Sequence, residues 1–156
     1  MTNDPLFGTS LRRDPSQPGD LASRIDAQLR ERLEEAVDFV CLGALVQRRQ
    51  ALGLPAPSAD NPRDRDEFTR SVRTFLERLK TELLANLDAE PRTKVSAAEQ
   101  GPGDEDARLL GAHVVLAREL PDYWQRFEAA RAAYTAEQVA SGRERGGVLG
   151  RLFGRG

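Results

Sequence analysis

At 156 residues the chain is long enough for one domain with a real core and too short for two comfortable ones. Hydrophobic residues make up 39% and charged residues 31%, a balance of solvated helical faces with some unfolded chain rather than a large apolar interior. Twenty-three basic against 25 acidic side chains leave a net charge of −2 and a pI near 5.6, which disfavours wholesale electrostatic binding to nucleic acid. Cys41 is the single cysteine, so an internal disulfide and a thiolate-rich metal site are both excluded.

Met1–Gly19 carries Pro5, Gly8, Pro15, Pro18 and Gly19 among polar residues. Such a segment buries too little apolar surface to offset the entropy of ordering, and it is expected to be disordered. It lacks the basic start and apolar run of a signal peptide, and the longest apolar run, Phe39–Val46, falls far short of a membrane span. The expected compartment is the cytoplasm.

A helical domain is expected over residues 20–141. The first helix runs from Leu21 to about Leu52, with Asp20 as N-cap and Gly53 and Pro55 as the stop. Ile25, Leu29, Leu33, Ala36, Val37, Val40, Ala44 and Leu45 recur at helical spacing, and past Phe39 the helix is apolar all round, so that half should be the most buried. Asn61-Pro62 reads as an N-cap followed by proline at the first helical position, opening a second helix that runs to about Leu87. Its stripe, Phe68, Val72, Phe75, Leu76, Leu79, Leu83 and Leu87, is the cleanest periodic signal and could face the first helix or a second copy of the chain.

Pro91 closes that helix, and Ala89–Gly103 is expected to be a disordered loop with Val95 as its one bulky residue. A third helix starts near Asp104, whose neighbours Glu105 and Asp106 suit a positive dipole end. Pro121 breaks or kinks it, and a fourth helix follows to Val139, ending at Ser141-Gly142. No segment alternates with period two. The expected fold class is all-α, a bundle of three to four helices with disordered N- and C-terminal tails.

His113 is the only histidine and sits among Leu110, Val114 and Val115. Leu110 stands where a one-turn carboxylate would be needed for a shared metal, so a hydrogen-bonded or partly exposed histidine is the expected state. Cys41 lies in the apolar run and should be an inert buried thiol, although a Cys41/His113 nucleophilic dyad stays open from spacing alone. Trp124, Phe127 and Tyr134 stand at helical spacing and are expected to pack in the core. Asp104–Asp106 lacks the spread of a calcium loop, and no glycine cluster leads into the Lys-Ser/Thr of a phosphate loop. No cofactor and no metal is expected.

The ends carry the candidate site. Leu6, Phe7 and Leu11 are apolar anchors next to Arg12 and Arg13. In the expected flexible Gly/Arg tail, residues 142–156, Val148, Leu149, Leu152 and Phe153 cluster beside Arg151 and Arg155. Such peptides suit a groove on a protein partner, or weak contact with an anionic membrane at about 1 kcal/mol per basic residue. The run Gly8-Thr9-Ser10-Leu11-Arg12-Arg13 resembles the Gly-Ser-Leu-basic peptides that load cargo into encapsulin shells. It departs from them by the inserted Thr9 and by standing at the start of the chain, and it assigns no family.

The leading expectation is a non-enzymatic helical adaptor or assembly factor that binds protein partners, with self-association open. The alternative is a small cofactor- or metal-binding protein or enzyme, or compartment cargo, with a site between helices around Trp124, Tyr134, His113 and Cys41. RNA contact through the Arg/Gly tail is a third, weaker expectation.

Overall fold

The computed structural model describes the backbone of residues 20–153 and the side-chain surroundings of residues 21–144. Five helices and no strand appear among them: α1 Asp20–Leu52, α2 Pro62–Leu84, α3 Ala89–Glu99, α4 Glu105–Glu119 and α5 Tyr123–Phe153. The class is all-α as expected, and the count exceeds three to four because the expected loop over 89–103 contains α3.

Proline explains that difference. Pro91 is the third residue of α3, inside the first turn, where its missing N–H has no intrahelical partner to lose. It therefore begins one helix as well as following another. Arg92 joins the two, donating from its guanidinium to the Leu84 carbonyl at 2.6 Å, which also accepts the Leu87 N–H, and to the Leu87 carbonyl at 3.1 Å, just past the end of α2. Val95 is buried and anchors α3 against the core.

Other boundaries follow local chemistry. Leu54 N–H bonds Arg49 O at 2.8 Å and Gly53 N–H bonds Gln50 O at 3.1 Å, which closes α1. Gly53 sits at φ +71°, a conformation that favours glycine. Asn61 Oδ1 accepts from Arg63 N–H at 2.9 Å, as expected of an N-cap, and Asp104, expected only as charge at the helix start, also caps, its Oδ1 accepting from Ala107 N–H at 2.8 Å. Pro121 separates α4 from α5.

The last helix does not stop at Ser141-Gly142. Gly142 is buried, and a Cβ there would lie 3.0 Å from Arg48 O and 3.2 Å from Ala51 Cβ. Its missing side chain permits close approach between helices instead of capping a terminus. The backbone is helical through Phe153, across most of the stretch expected as a tail, and Leu149, Arg151, Leu152 and Phe153 stand on α5 with side chains outside the described set. Leu6, Phe7, Leu11, Arg12 and Arg13 lie outside the described residues.

Contacts at the two ends of α1 set the arrangement. Arg32 stacks over the Trp124 ring at 3.9 Å and Gly142 meets Arg48 and Ala51, so α5 runs parallel to α1. Arg118 pairs with Asp26 at 2.9 Å while Gly111 approaches Arg30, so α4 runs antiparallel to it. Between them, Phe75 makes edge-on contacts with Phe127 at 5.3 Å and Tyr134 at 5.5 Å. Phe75, Leu76, Leu79 and Leu83 of the α2 stripe are buried in this core together with Leu33, Val37 and Leu116. That stripe faces inward.

Candidate functional site

Two regions could carry chemistry, and they are built in opposite ways. The first is the polar spine of the interior. His113, fully buried, places Nε2 2.8 Å from the Leu76 carbonyl and Nδ1 2.8 Å from the Tyr123 hydroxyl. A carbonyl only accepts, so Nε2 bears the proton and Nδ1 accepts from the phenol. Burial, with a smaller contribution from the Lys80 charge and against the pull of the Leu76 carbonyl, lowers the imidazole pKa from 6.5 to about 4. Burial pushes the Tyr123 phenol well above its ordinary value.

Both His113 nitrogens are thus occupied by the protein's own groups. Cys41 is buried and its thiol is pushed up to about 11 by desolvation, opposed by a hydrogen bond with Ser71 and aided by the Asp38 charge. Ser71 also bonds the Tyr134 hydroxyl at 2.6 Å. Cys41 and His113 take separate partners, and no hydrogen bond joins them among the described residues. Trp124, at the core edge, is half-buried beneath Arg32. Tyr123 is the spine member left out of the Trp124–Phe127–Tyr134 stripe, although it stands four residues before Phe127 at helical spacing; it meets His113 across the Pro121 break.

Charged groups near the α1–α2 turn are similarly paired. Arg49 bridges Asp64 and Glu67, and Ser58 N–H donates to Asp64 at 2.8 Å. These bonds hold the Asp64 carboxyl below its ordinary range. Among the described residues the one buried side-chain polar atom without a hydrogen bond is Arg48 Nε. No group of three His, Cys, Asp or Glu side chains is placed to share a metal ion there, and no described helix is long and apolar enough to cross a membrane.

The second region lies on the outer side of α1. The half expected to be most buried, from Phe39 onward, splits instead into two faces. Val40, Cys41, Ala44 and Leu45 enter the core, whereas Phe39 is 74% exposed and Leu42 49%. An α-helix turning 100° per residue cannot bury four sides against neighbours on two, so the all-round apolar half leaves one side in solvent. Phe39, Leu42, Leu45, Pro57, Ala59 and Phe68 line a groove of about 560 Å³ between α1, the α1–α2 turn and the start of α2. Glu35, Asp38 and Arg65 form its rim. Glu35 and Asp38 have no ion pair among the described residues, and partial desolvation by its neighbours raises the Asp38 carboxyl pKa.

Apart from Arg48 Nε, the buried polar side-chain atoms of the described residues are satisfied, whereas the outer face is open. The chain matches no protein family, no curated protein and no solved structure.

Proposed function

We propose that this protein is a non-enzymatic helical adaptor or assembly factor of the cytoplasm. It binds protein partners through the outer face of α1, with the terminal peptides Leu6–Arg13 and Leu149–Phe153 as further tethers. One observation carries the reading: a large aromatic and a leucine stand in solvent beside two unpaired carboxylates, on a chain whose interior polar groups are almost all satisfied. Exposed apolar side chains grouped with a charged rim mark interaction surfaces. The residues that a cofactor or a nucleophilic reaction would recruit, His113 and Cys41, are engaged by Tyr123, Leu76 and Ser71 and are shifted by burial away from useful protonation.

The test is site-specific photo-crosslinking in the native cell. A photoreactive phenylalanine analogue at Phe39 is expected to capture a protein, and the same analogue at exposed Ala129 on α5 is not. Equal or absent capture at both positions contradicts the reading. Capture experiments with chains lacking residues 1–19 or 142–156 test the tethers: an unchanged partner set for both truncations removes them.

A further inference from the structure

The exposed face of α1 is not a random scatter. Leu21, Ile25, Gln28, Arg32, Glu35, Phe39, Leu42 and Val46 follow one another at alternating steps of four and three, which is the 3.5-residue spacing of a helix-pairing seam. Among them Leu21 is 63% exposed, Ile25 44%, Phe39 74% and Leu42 49%. The seam lies on the side away from Leu33, Val37, Val40 and Ala44, which enter the core, with exposed Arg32 at its centre reaching over the Trp124 ring of its own chain.

Its order is self-complementary. If two copies of α1 lie antiparallel about a two-fold axis level with the Leu33–Glu34 peptide, each seam position meets a seam position. Leu21 faces Val46, Ile25 faces Leu42, Gln28 faces Phe39 and Arg32 faces Glu35, each contact occurring twice by symmetry. The apolar ends meet apolar ends, and the centre holds two reciprocal Arg–Glu pairs. A parallel pairing places Arg32 against Arg32 and Glu35 against Glu35. Polar residues inside such a seam select register and orientation.

We propose that the partner of this face is a second copy of the same chain, paired antiparallel through α1 along Leu21–Val46. This rests on reading the outer face of α1 as an interaction surface. The seam is about 38 Å long at 1.5 Å per residue. The four exposed apolar residues present roughly 500 Å² per copy, so two copies reach the ~1,000 Å² floor of specific interfaces before Gln28, Arg32 and Glu35 are added. One flanking contact opposes pairing, since Glu31 meets Asp38 of the second copy. Both are exposed, so salt screens that repulsion, whereas the Arg32–Glu35 pairs sit at the centre.

Sedimentation equilibrium of the full chain over a range of concentrations tests this. The expected result is a reversible species of twice the 17.2 kDa chain mass. Phe39→Asp and Ile25→Asp should abolish it while circular dichroism stays helical. Glu35→Arg should weaken association roughly tenfold or more by opposing arginines, and Arg32→Glu combined with Glu35→Arg should restore it. Under mild oxidation, a mixture of Arg32→Cys and Glu35→Cys chains should form the mixed disulfide faster than either chain alone forms its own. A chain monomeric at every concentration overturns the inference, as does an Arg32→Cys homodisulfide that outpaces the mixed one.

The Phe39 crosslink separates this from the broader reading. Capture of a different protein with a monomeric chain overturns the second copy and keeps the interaction surface. Capture of the chain's own Leu6–Arg13 overturns the second copy by filling the groove internally. No capture with a monomeric chain removes both.

Discussion

Around His113 and along the outer side of α1, the same helical bundle treats polarity in opposite ways. In the interior, three elements converge so that a single imidazole spends one nitrogen on the Leu76 carbonyl of α2 and the other on the Tyr123 hydroxyl of α5. The ring is fully buried, and desolvation lowers the pKa of His113. On the outer side, Phe39 and Leu42 remain in water beside Glu35 and Asp38. A satisfied polar cluster in a core fixes which packing is native, whereas an unsatisfied apolar surface marks what the fold leaves for another molecule.

Substitutions should separate the two regions by size of effect. The largest belongs to the aromatic core: Phe127→Ala should cost about 3–5 kcal/mol of stability in denaturant titration, because the cavity opens against Phe75 and Tyr123. Acidification comes next. The folded His113 holds a pKa near 4 against 6.5 when unfolded, so the unfolded chain binds the extra proton and stability falls as pH drops from about 6.5 towards 4. Between pH 7 and pH 5 the His113 contribution should shrink by roughly 2 kcal/mol, and His113→Gln should remove that slope. Equal slopes for the two chains would show that the ring titrates freely.

Smaller effects follow. Tyr123→Phe leaves Nδ1 of His113 without its donor and should cost about 1–3 kcal/mol, the penalty of an unmet buried acceptor. Asn61→Ala removes the α2 cap and should cost about 1 kcal/mol. Phe39→Asp should change the stability of the isolated chain by no more than about 0.5 kcal/mol, since the side chain stands in solvent. A large loss there would place Phe39 in the core and erase the contrast between the regions.

How much of this was legible in the sequence varies by element. Asn61-Pro62 and Asp104 announce α2 and α4 because caps and first-turn chemistry act locally. The Phe68–Leu87 stripe announces its core face for the same reason. Pro91 misleads, since a proline that ends one helix is equally at home in the first turn of the next, and spacing alone does not say which. Gly142 misleads differently: whether a glycine caps a helix or lets a neighbour come close depends on Arg48 and Ala51, some ninety positions earlier in the chain.

The His113–Tyr123 bond crosses a helix break, so no periodicity could reveal it. The outer face of α1 was half visible. Its apolar residues past Phe39 are plain in the sequence, yet an all-round apolar helix does not declare which side its own chain will cover. The spacing from Leu21 to Val46 holds that information only once the core face is known. Among the candidate residues at the chain ends, Leu149–Phe153 stand on helical backbone.

The most direct measurement is the denaturation midpoint of the full chain as a function of protein concentration, with Phe39→Asp alongside. Association that requires the folded outer face of α1 raises the midpoint as concentration rises, by mass action. The midpoint should rise for the wild-type chain and stay flat and lower for Phe39→Asp. Identical, concentration-independent midpoints for both would contradict association through this face.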